Sequence, residues 1–420
     1  VASVGWLQFA GVELVNSTRA SMLSGGLVRC GCATLPHALG DDPDEYRDVT
    51  TAPWFDITVP DSKDFFGFAG LEYTGDADGT AERGTTEVIG DGGVLGAPRA
   101  ASRELEVTVL AVAATEAGLS YGLGWLEAAL GGSACHTGCS GDTLCVYAAC
   151  PPKGRADALL RYLGEVGLTD GPTRESVTRL AGGWIATVSF TVTAGNPWWW
   201  QLPRMVFDQT VAPDYSDVVA DYDILGGGPC PDPPDCLDSS PYCTGSNAPW
   251  PDEPFPGSSP HDLSLLDPCY PTAPFTAARA LWRVPRRAMP TGQGTVPIVE
   301  LRSGSLPLHR ITVRWYSNPT NRVPTGTIDR CRACAELTIP WIPANTTLTI
   351  DGRSRSTTVN CRDLGRTPSG VTVYGPRGGP FDWPVFPCST PLIAELIMLN
   401  NSLTPDTTWR VSLAARTGAV

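Results

Sequence analysis

Apolar and polar residues alternate with a period of two in several stretches of the chain. The longest is Trp184 to Val192, where Trp184, Ala186, Val188, Phe190 and Val192 share one side and Ile185, Thr187, Ser189, Thr191 and Thr193 share the other. Gly195-Asn196-Pro197 should end this strand, and Trp198-Trp199-Trp200 follows it. Leu105, Val107 and Val109 alternate with Glu104, Glu106 and Thr108, which predicts a half-buried strand. Near the start, Trp6-Leu7-Gln8-Phe9 and Val12-Glu13-Leu14 flank Ala10-Gly11, a strand pair around a small-residue bend. Helical spacing is rarer. Leu119, Leu123, Leu126 and Leu130 predict a helix near 115–130 that Thr115 can cap, and Leu159, Leu160, Leu163 and Val166 predict a second at 155–166. Residues 36–64 are acidic and contain proline, so they read as a long surface loop around Trp54-Phe55.

The second half reads as all-β from about residue 276. His309, Ile311, Val313 and Trp315 alternate with Arg310, Thr312, Arg314 and Tyr316, which would make His309 a core or interface residue. Leu348 and Ile350 lead into Asp351-Gly352, a hairpin turn signal with a polar return strand. Val371 to Tyr374 and Trp409 to Leu413 supply further strands. Between the halves the periodicity is lost: proline is dense, and four cysteines lie among Asp, Ser and Pro. The expected organisation is a mostly β protein. Residues 1–205 form a β-sandwich or barrel with one or two helices, 206–275 a Pro/Cys-rich linker or arm, and 276–420 a β-sandwich of jelly-roll type.

Composition narrows the functional classes. Charged residues make up 18% of the 420, against about 25% in ordinary domains. The formal net charge is −14, and the densest basic group is only Arg279, Arg283, Arg286 and Arg287, which disfavours a nucleic-acid partner. The apolar run Leu392–Leu399 is short and holds Glu395, so no membrane insertion is expected. Val1 to Ala10 lacks a basic region followed by a long apolar run, so no secretion signal is expected and maturation in a cytoplasm is.

The 14 cysteines are many for a cytoplasmic protein, and they are grouped. Cys30 and Cys32 are close; Cys135, Cys139, Cys145 and Cys150 form one quartet, Cys230, Cys236, Cys243 and Cys269 a second, and Cys331, Cys334, Cys361 and Cys388 a third. Disulfides within the quartets are the favoured reading. Cys331-x2-Cys334 with Cys361 and Cys388 is the set that best fits zinc if a metal is bound. Gly90-x-Gly92-Gly93-x-x-Gly96 precedes a strand, not a helix, so it reads as a bend and no cofactor is expected. His37, His136, His261 and His309 lie in no catalytic motif, and the acidic loop contains no calcium-loop run; no catalytic centre is expected. Trp54-Phe55 and the Trp triplet are either a sugar platform or buried contacts between domains or subunits, the second being the commoner use.

The order of several pieces resembles a known family. A strand reading F-x-G-V-E (Phe9 to Glu13) comes first, then a Gly-rich bend followed by arginines (Gly90 to Arg99, and Arg103). A strand and helix follow (Leu105 to Val112, Thr115 to Leu130), then a strand reading F-x-V-T-A-G-x-P-W (Phe190 to Trp198). Cys331 to Pro340, Thr349 to Arg353, Tyr374-Gly375-Pro376 and Pro380 to Pro384 add to the likeness. Together they resemble the distal tail, or minor tail, proteins of long-tailed phages that infect actinobacteria. The resemblance implies a galectin-like C-terminal sandwich and a structural, non-enzymatic role. The implied product is a closed ring, six copies or alternatively three, at the virion tail tip, assembled in the bacterial host cytoplasm. Its implied neighbours are the tail tube protein, the tape measure protein, the tip hub and other minor tail proteins. The long Cys-rich arm departs from shorter members. The competing reading is a module that binds host cell-wall glycans; a glycan hydrolase is more remote.

If a ring forms, the expected contact is the face of Ile185, Thr187 and Ser189. It lacks Lys and Glu, as buried interface centres do, and Trp198, Trp199 and Trp200 stand beside it.

Overall fold

The computed structural model describes residues 5–28, 31–75, 81–87, 92–96, 99–131, 142–147, 149–153, 159–210, 218–220, 276–284, 286, 294–317, 333–361, 373–375, 381–386, 391–399 and 403–417. The chain is mostly β with few helices, as the alternating patterns predict, and its sheets are antiparallel. It divides into two compact units, Val1–Leu202 with Ala415–Val420, and Pro203–Ala414. The expected segments at 205 and 276 are therefore cut differently. Residues 204–210, expected to straddle the first domain's end and the start of the arm, form a strand of the second unit, and the last residues return to the first. Most of the proposed arm, 211–217 and 221–275, lies outside the described residues.

The first unit opens with β1 (Trp6–Phe9) and β2 (Val12–Asn16), joined through Ala10 and Gly11, both at positive φ. Then come α1 (Ser17–Leu23), α2 (Leu35–Leu39), β3 (Phe65–Thr74) and four short strands, β4 (Ala81–Glu82), β5 (Thr85–Glu87), β6 (Gly93–Leu95) and β7 (Arg99–Ala100). The larger elements that follow are β8 (Arg103–Ala113), α3 (Glu116–Gly131), β9 (Asp142–Tyr147), β10 (Leu160–Leu180), β11 (Gly183–Ala194) and β12 (Trp199–Gln201). The strands β3, β8, β11 and β10 lie side by side in that order. Register explains their shared core: Val188 faces Val109, Phe190 faces Val107 and Val192 faces Leu105, so two buried rows run along one face. Leu119, Leu126 and Leu130 of α3 join that core, and Thr115 caps the helix by accepting from Gly118 N at 3.0 Å.

The helix predicted at 155–166 is corrected. Leu160 to Val166 belong to β10, and Leu163 and Val166 are buried there among strand partners on β9 and β11. The apolar spacing fits a helix turn, but the sheet satisfies the same side chains, so tertiary pairing decides. The acidic stretch is also more than a surface loop. Tyr46 and Trp54 are fully enclosed, and Trp54 donates its indole N–H to Phe65 O at 3.0 Å. Gly67, at φ +105, leaves room for the Trp54 ring; a Cβ there would come within 2.4 Å of it. A buried network fixes the stretch from below. Glu13 accepts from Trp6, Asn16 and Arg19, and the Arg19 guanidinium lies 4.2 Å above the centre of the Tyr46 ring.

The second unit contains β13 (Arg204–Thr210), β14 (Val218–Ala220), β15 (Thr276–Val284), β16 (Gly294–Arg302), β17 (Leu308–Ser317), β18 (Ala333–Ile342), β19 (Thr346–Asp351), β20 (Ser356–Cys361), β21 (Leu392–Leu399) and all but the end of β22 (Thr408–Thr417), whose residues from Ala415 on belong to the first unit. Strands β14, β15, β21, β17 and β18 make one sheet; β13, β22, β16, β19 and β20 run side by side in another. One apolar cluster joins Ile311, Val313, Trp315, Leu337 and Leu396 of the first to Leu301, Leu348, Ile350, Val411 and Leu413 of the second, which makes a sandwich. His309 is exposed, contrary to the alternation, because Arg310 at φ 50 shifts the pattern and Leu308 takes the buried place. Thr312, Arg314 and Tyr316, the polar face of the same strand, are buried too. Arg314 is there because Glu336 and Glu395 neutralise it, and Tyr316 donates to Glu395 at 2.7 Å.

Candidate functional site: the β10–β11 hairpin and its surroundings

Strand β10 has two different halves. Leu160 to Val166 is paired on both sides, with β9 on one and, through Arg161 and Tyr162, with β12 on the other. Beyond Val166 its partner among the described residues is β11 alone. Register shifts interrupt that pairing between Leu168 and Asp170, between Asp170 and Thr173, and between Arg174 and Ser176. Bulges of this kind bend a strand and increase its twist. Thr173 to Leu180 are all exposed, including Val177 and Leu180 at 41% each. The result is a long strand whose outer backbone groups meet no neighbour among the described residues. Arg174, Glu175 and Arg179 stand along it, charges of the sort that keep a free edge from pairing at random.

The face predicted for the contact is assembled from three strands. Ser176 lies opposite Thr187, Thr178 opposite Ile185 and Thr173 opposite Ser189 on β10, while Leu110 and Thr108 of β8 stand on the other side of Thr187 and Ser189. Ser176 donates to Thr187 at 3.1 Å, and Thr169 shares a 3.1 Å hydroxyl contact with Thr193. Thr187 and Ser189 are half-buried and uncharged at the centre of this patch; Glu104 and Glu106 bound it at one end. Ile185 is placed differently from Thr187 and Ser189. It packs with Ala20, Val28, Ala69 and Val112 beneath α1, so much of its surface is already covered.

The Trp triplet does not act as one group. Trp199 is fully buried in the first unit's core and Trp200 is 3% exposed, so neither has surface to offer a second chain. This corrects the expectation that all three form an interface. The cause is β12, which pairs Trp200 with Tyr162 on one side and with Arg416 on the other, so the strand lies inside the sheet and not at its edge. Trp198 is half-buried, with the Arg416 guanidinium 4.3 Å from its ring centre.

Among the cysteines, Cys32 is bonded to Cys150 with a Cα–Cα distance of 5.6 Å. Cys150 therefore pairs outside its own quartet, because the fold brings the segment before α2 against the end of the first Cys cluster. Thr34 donates to Pro151 O beside the bridge, and Trp6, Leu35 and Tyr147 pack around it. Cys145 is a free thiol whose pKa burial pushes up to about 11, and Cys334 is a free thiol on the surface. Cys361 ends β20. Cys30, Cys135, Cys139, Cys230, Cys236, Cys243, Cys269, Cys331 and Cys388 lie outside the described residues, and with them two of the four cysteines of the candidate zinc set. Among the described residues no three His, Cys, Asp or Glu side chains are grouped as a metal site, and no helix is long and apolar enough to cross a membrane.

Sequence patterns missed the free edge of β10, because the helical spacing of its first half hid a strand. Trp54-Phe55 was recognised as an aromatic group, but its partners were not. A groove of about 580 Å³ lies there, completed by Tyr121 and Trp125 of α3.

No protein-family model matches the chain, and no curated protein matches it. Among solved structures it is similar to the Dit protein of phage SPP1, described as a paradigm of the hub adsorption apparatus in phages infecting Gram-positive bacteria. The identity is 12%, the match covers 83% of this chain and 93% of that one, and the TM-score is 0.38. It is similar also to a chain of the phage P2 baseplate in its activated conformation with Ca, at 10% identity, covering 87% of this chain and 94% of that one, with a TM-score of 0.36. Scores of this size carry no residue's role across to this chain.

Proposed function

We propose that the chain is a structural subunit of a phage tail tip, and that its first unit forms a closed ring with copies of itself between the tail tube and the tip. The observation that carries this reading is the outer half of β10, an exposed strand edge continuous with an uncharged Thr/Ser face. A free edge of that length is a hazard in a lone protein and an asset in one that assembles. At the far side of the same sheet, β3 pairs only with β8 among the described residues and exposes Leu71 at 47%. Two unlike edges on one sheet suit a head-to-tail contact, which closes into a ring when the rotation allows. The motif order from Phe9 to Trp198 supports the tail-tip setting, six copies with three as the alternative, and the tube, tape measure, hub and minor tail proteins as neighbours.

The test is the mass of the purified full chain by light scattering, for the wild type and for Thr187→Glu with Ser189→Glu. The wild type should form an oligomer of one defined size. The double variant should be a monomer with an unchanged circular dichroism spectrum. An oligomer of the same size from both would show that the contact lies elsewhere.

A further inference from the structure

The groove beside α3 serves neither the free edge nor the Thr/Ser face, and its chemistry is specific. Pro53, Phe55, Asp56 and Ile57 form one wall, and Tyr121 and Trp125, one helical turn apart, form the other. Ile57 is 82% exposed, an unusual degree for an isoleucine next to three aromatic rings. Both sides are held in place. Tyr121 donates to Trp54 O at 2.6 Å, and the Trp125 ring stacks on Phe68 at 22° and meets Trp54 edge-on. One face of Trp125 is thus packed within the unit. The groove was not emptied by collapse because its walls are anchored from behind.

The polar groups still free there are few. The Trp54 N–H is used by Phe65 O and the Tyr121 hydroxyl by Trp54 O. Asp56 Oδ1 accepts from Thr58 N at 2.8 Å and from Thr58 Oγ1 at 2.7 Å, while Oδ2 has no hydrogen-bond partner among the described residues. The Thr58 bonds, hydroxyl first and then backbone, hold the Asp56 carboxyl below its usual range, so it is charged at neutral pH. Its charge reaches the rings: burial, and after it Asp56, push the Tyr121 hydroxyl up. The surrounding segment is strongly acidic. Between 41 and 64 stand Asp41, Asp42, Asp44, Glu45, Asp48, Asp56, Asp61 and Asp64, against Arg47 and Lys63.

We propose that this groove is a docking site for an arginine side chain of a partner protein. A neutral sugar needs several donors and acceptors to fix its hydroxyls, and the groove's own donors are mostly engaged. A guanidinium needs an aromatic face for its plane and a carboxylate oxygen to accept its N–H, and these are what remain. The acidic surroundings favour a cationic partner over a neutral or anionic one and would speed its approach at low salt. Arginine fits better than lysine because its planar guanidinium can lie flat on a ring while one of its N–H groups reaches Asp56 Oδ2. This site is independent of the ring reading, since it uses neither β10 nor the Thr/Ser face.

The experiment uses the full chain labelled with 5-fluorotryptophan, with the Trp125 fluorine signal assigned through Trp125→Phe. The probes are acetyl-Gly-Arg-Gly-amide, the same peptide with citrulline in place of arginine, and a neutral N-acetylglucosamine oligomer. The arginine peptide should shift the Trp125 signal saturably at millimolar concentration. The citrulline peptide should bind about tenfold more weakly or worse, and Asp56→Asn should cost the arginine peptide a similar factor. Asn keeps the oxygen that Thr58 uses, so this variant should melt like the wild type. Equal binding of the arginine and citrulline peptides would overturn the proposal. So would an unchanged affinity in Asp56→Asn, or no shift up to about 20 mM arginine peptide. A shift with the sugar but not with arginine would overturn it in favour of a glycan site.

Discussion

Gly122 has no side chain because Phe65 occupies the place one would take: a Cβ there would lie 2.2 Å from the Phe65 ring, which is itself fully buried. Two residues on, Gly124 faces open space and is exposed. Both sit inside α3, where glycine costs up to about 1 kcal/mol relative to alanine. Gly124→Ala should therefore stabilise the first unit by about 0.5–1 kcal/mol. Gly122→Ala should destabilise it by about 1–2 kcal/mol, the clash exceeding the helix gain. Denaturant unfolding of the two variants checks the opposite signs; equal signs would contradict this packing of α3 on β3. The thiols differ in the same residue-level way. Burial pushes Cys145 up to about 11, so at pH 8 it should resist alkylation in the folded chain while exposed Cys334 reacts. Peptide mapping after brief iodoacetamide treatment distinguishes them. Tyr46 and Tyr316 ionise above the usual tyrosine range, through burial first and then through Glu13 and Glu395 respectively. A tyrosine whose folded pKa is raised stabilises the fold below its unfolded value of about 10, and that contribution is lost as pH rises above it. An absorbance titration should show these two of the 11 tyrosines withheld until alkaline unfolding.

At the scale of elements, the Cys32–Cys150 bridge links the segment before α2 to the end of β9's connection, across 118 residues of sequence. Closing so long a loop constrains the unfolded chain, worth about 3–5 kcal/mol. Cys32→Ser should lower stability by that order under oxidising conditions and by little under reducing ones. Non-reducing peptide mapping should recover the 32–150 link directly. The elements also show what could be read in advance. β8, β11 and α3 were legible because each has one buried face and one polar face, the condition under which periodicity reports structure. β10 was not legible. Its first half is buried on one side only in part, and its second half is exposed on both, so no alternation marks it. The burial of Arg314 and Glu395 was equally hidden, since ion pairing between β17, β18 and β21 is not visible in any one strand's pattern. The bridge escaped for the same reason: proximity in sequence pointed Cys150 to its quartet, and the fold pointed it to Cys32.

For the whole molecule, the question is what meets the outer half of β10. The face of Thr187 and Ser189 was recognisable from its lack of charge, whereas the edge beside it became visible only with the strand order. Trp199 and Trp200, expected at the same contact, are buried, so in the proposed ring the contact rests on backbone pairing and on small hydroxyl side chains. That makes it sensitive to added charge and tolerant of conservative change: Thr187→Ser should assemble as the wild type does, while Val177→Lys should weaken assembly without unfolding the chain. The most direct measurement is a cryo-electron microscopy map of the full chain's oligomer at a resolution that separates strands. The account predicts a closed ring in which Thr169–Leu180 of each chain lies against its neighbour. A ring, or any other oligomer, in which those residues face solvent would contradict it.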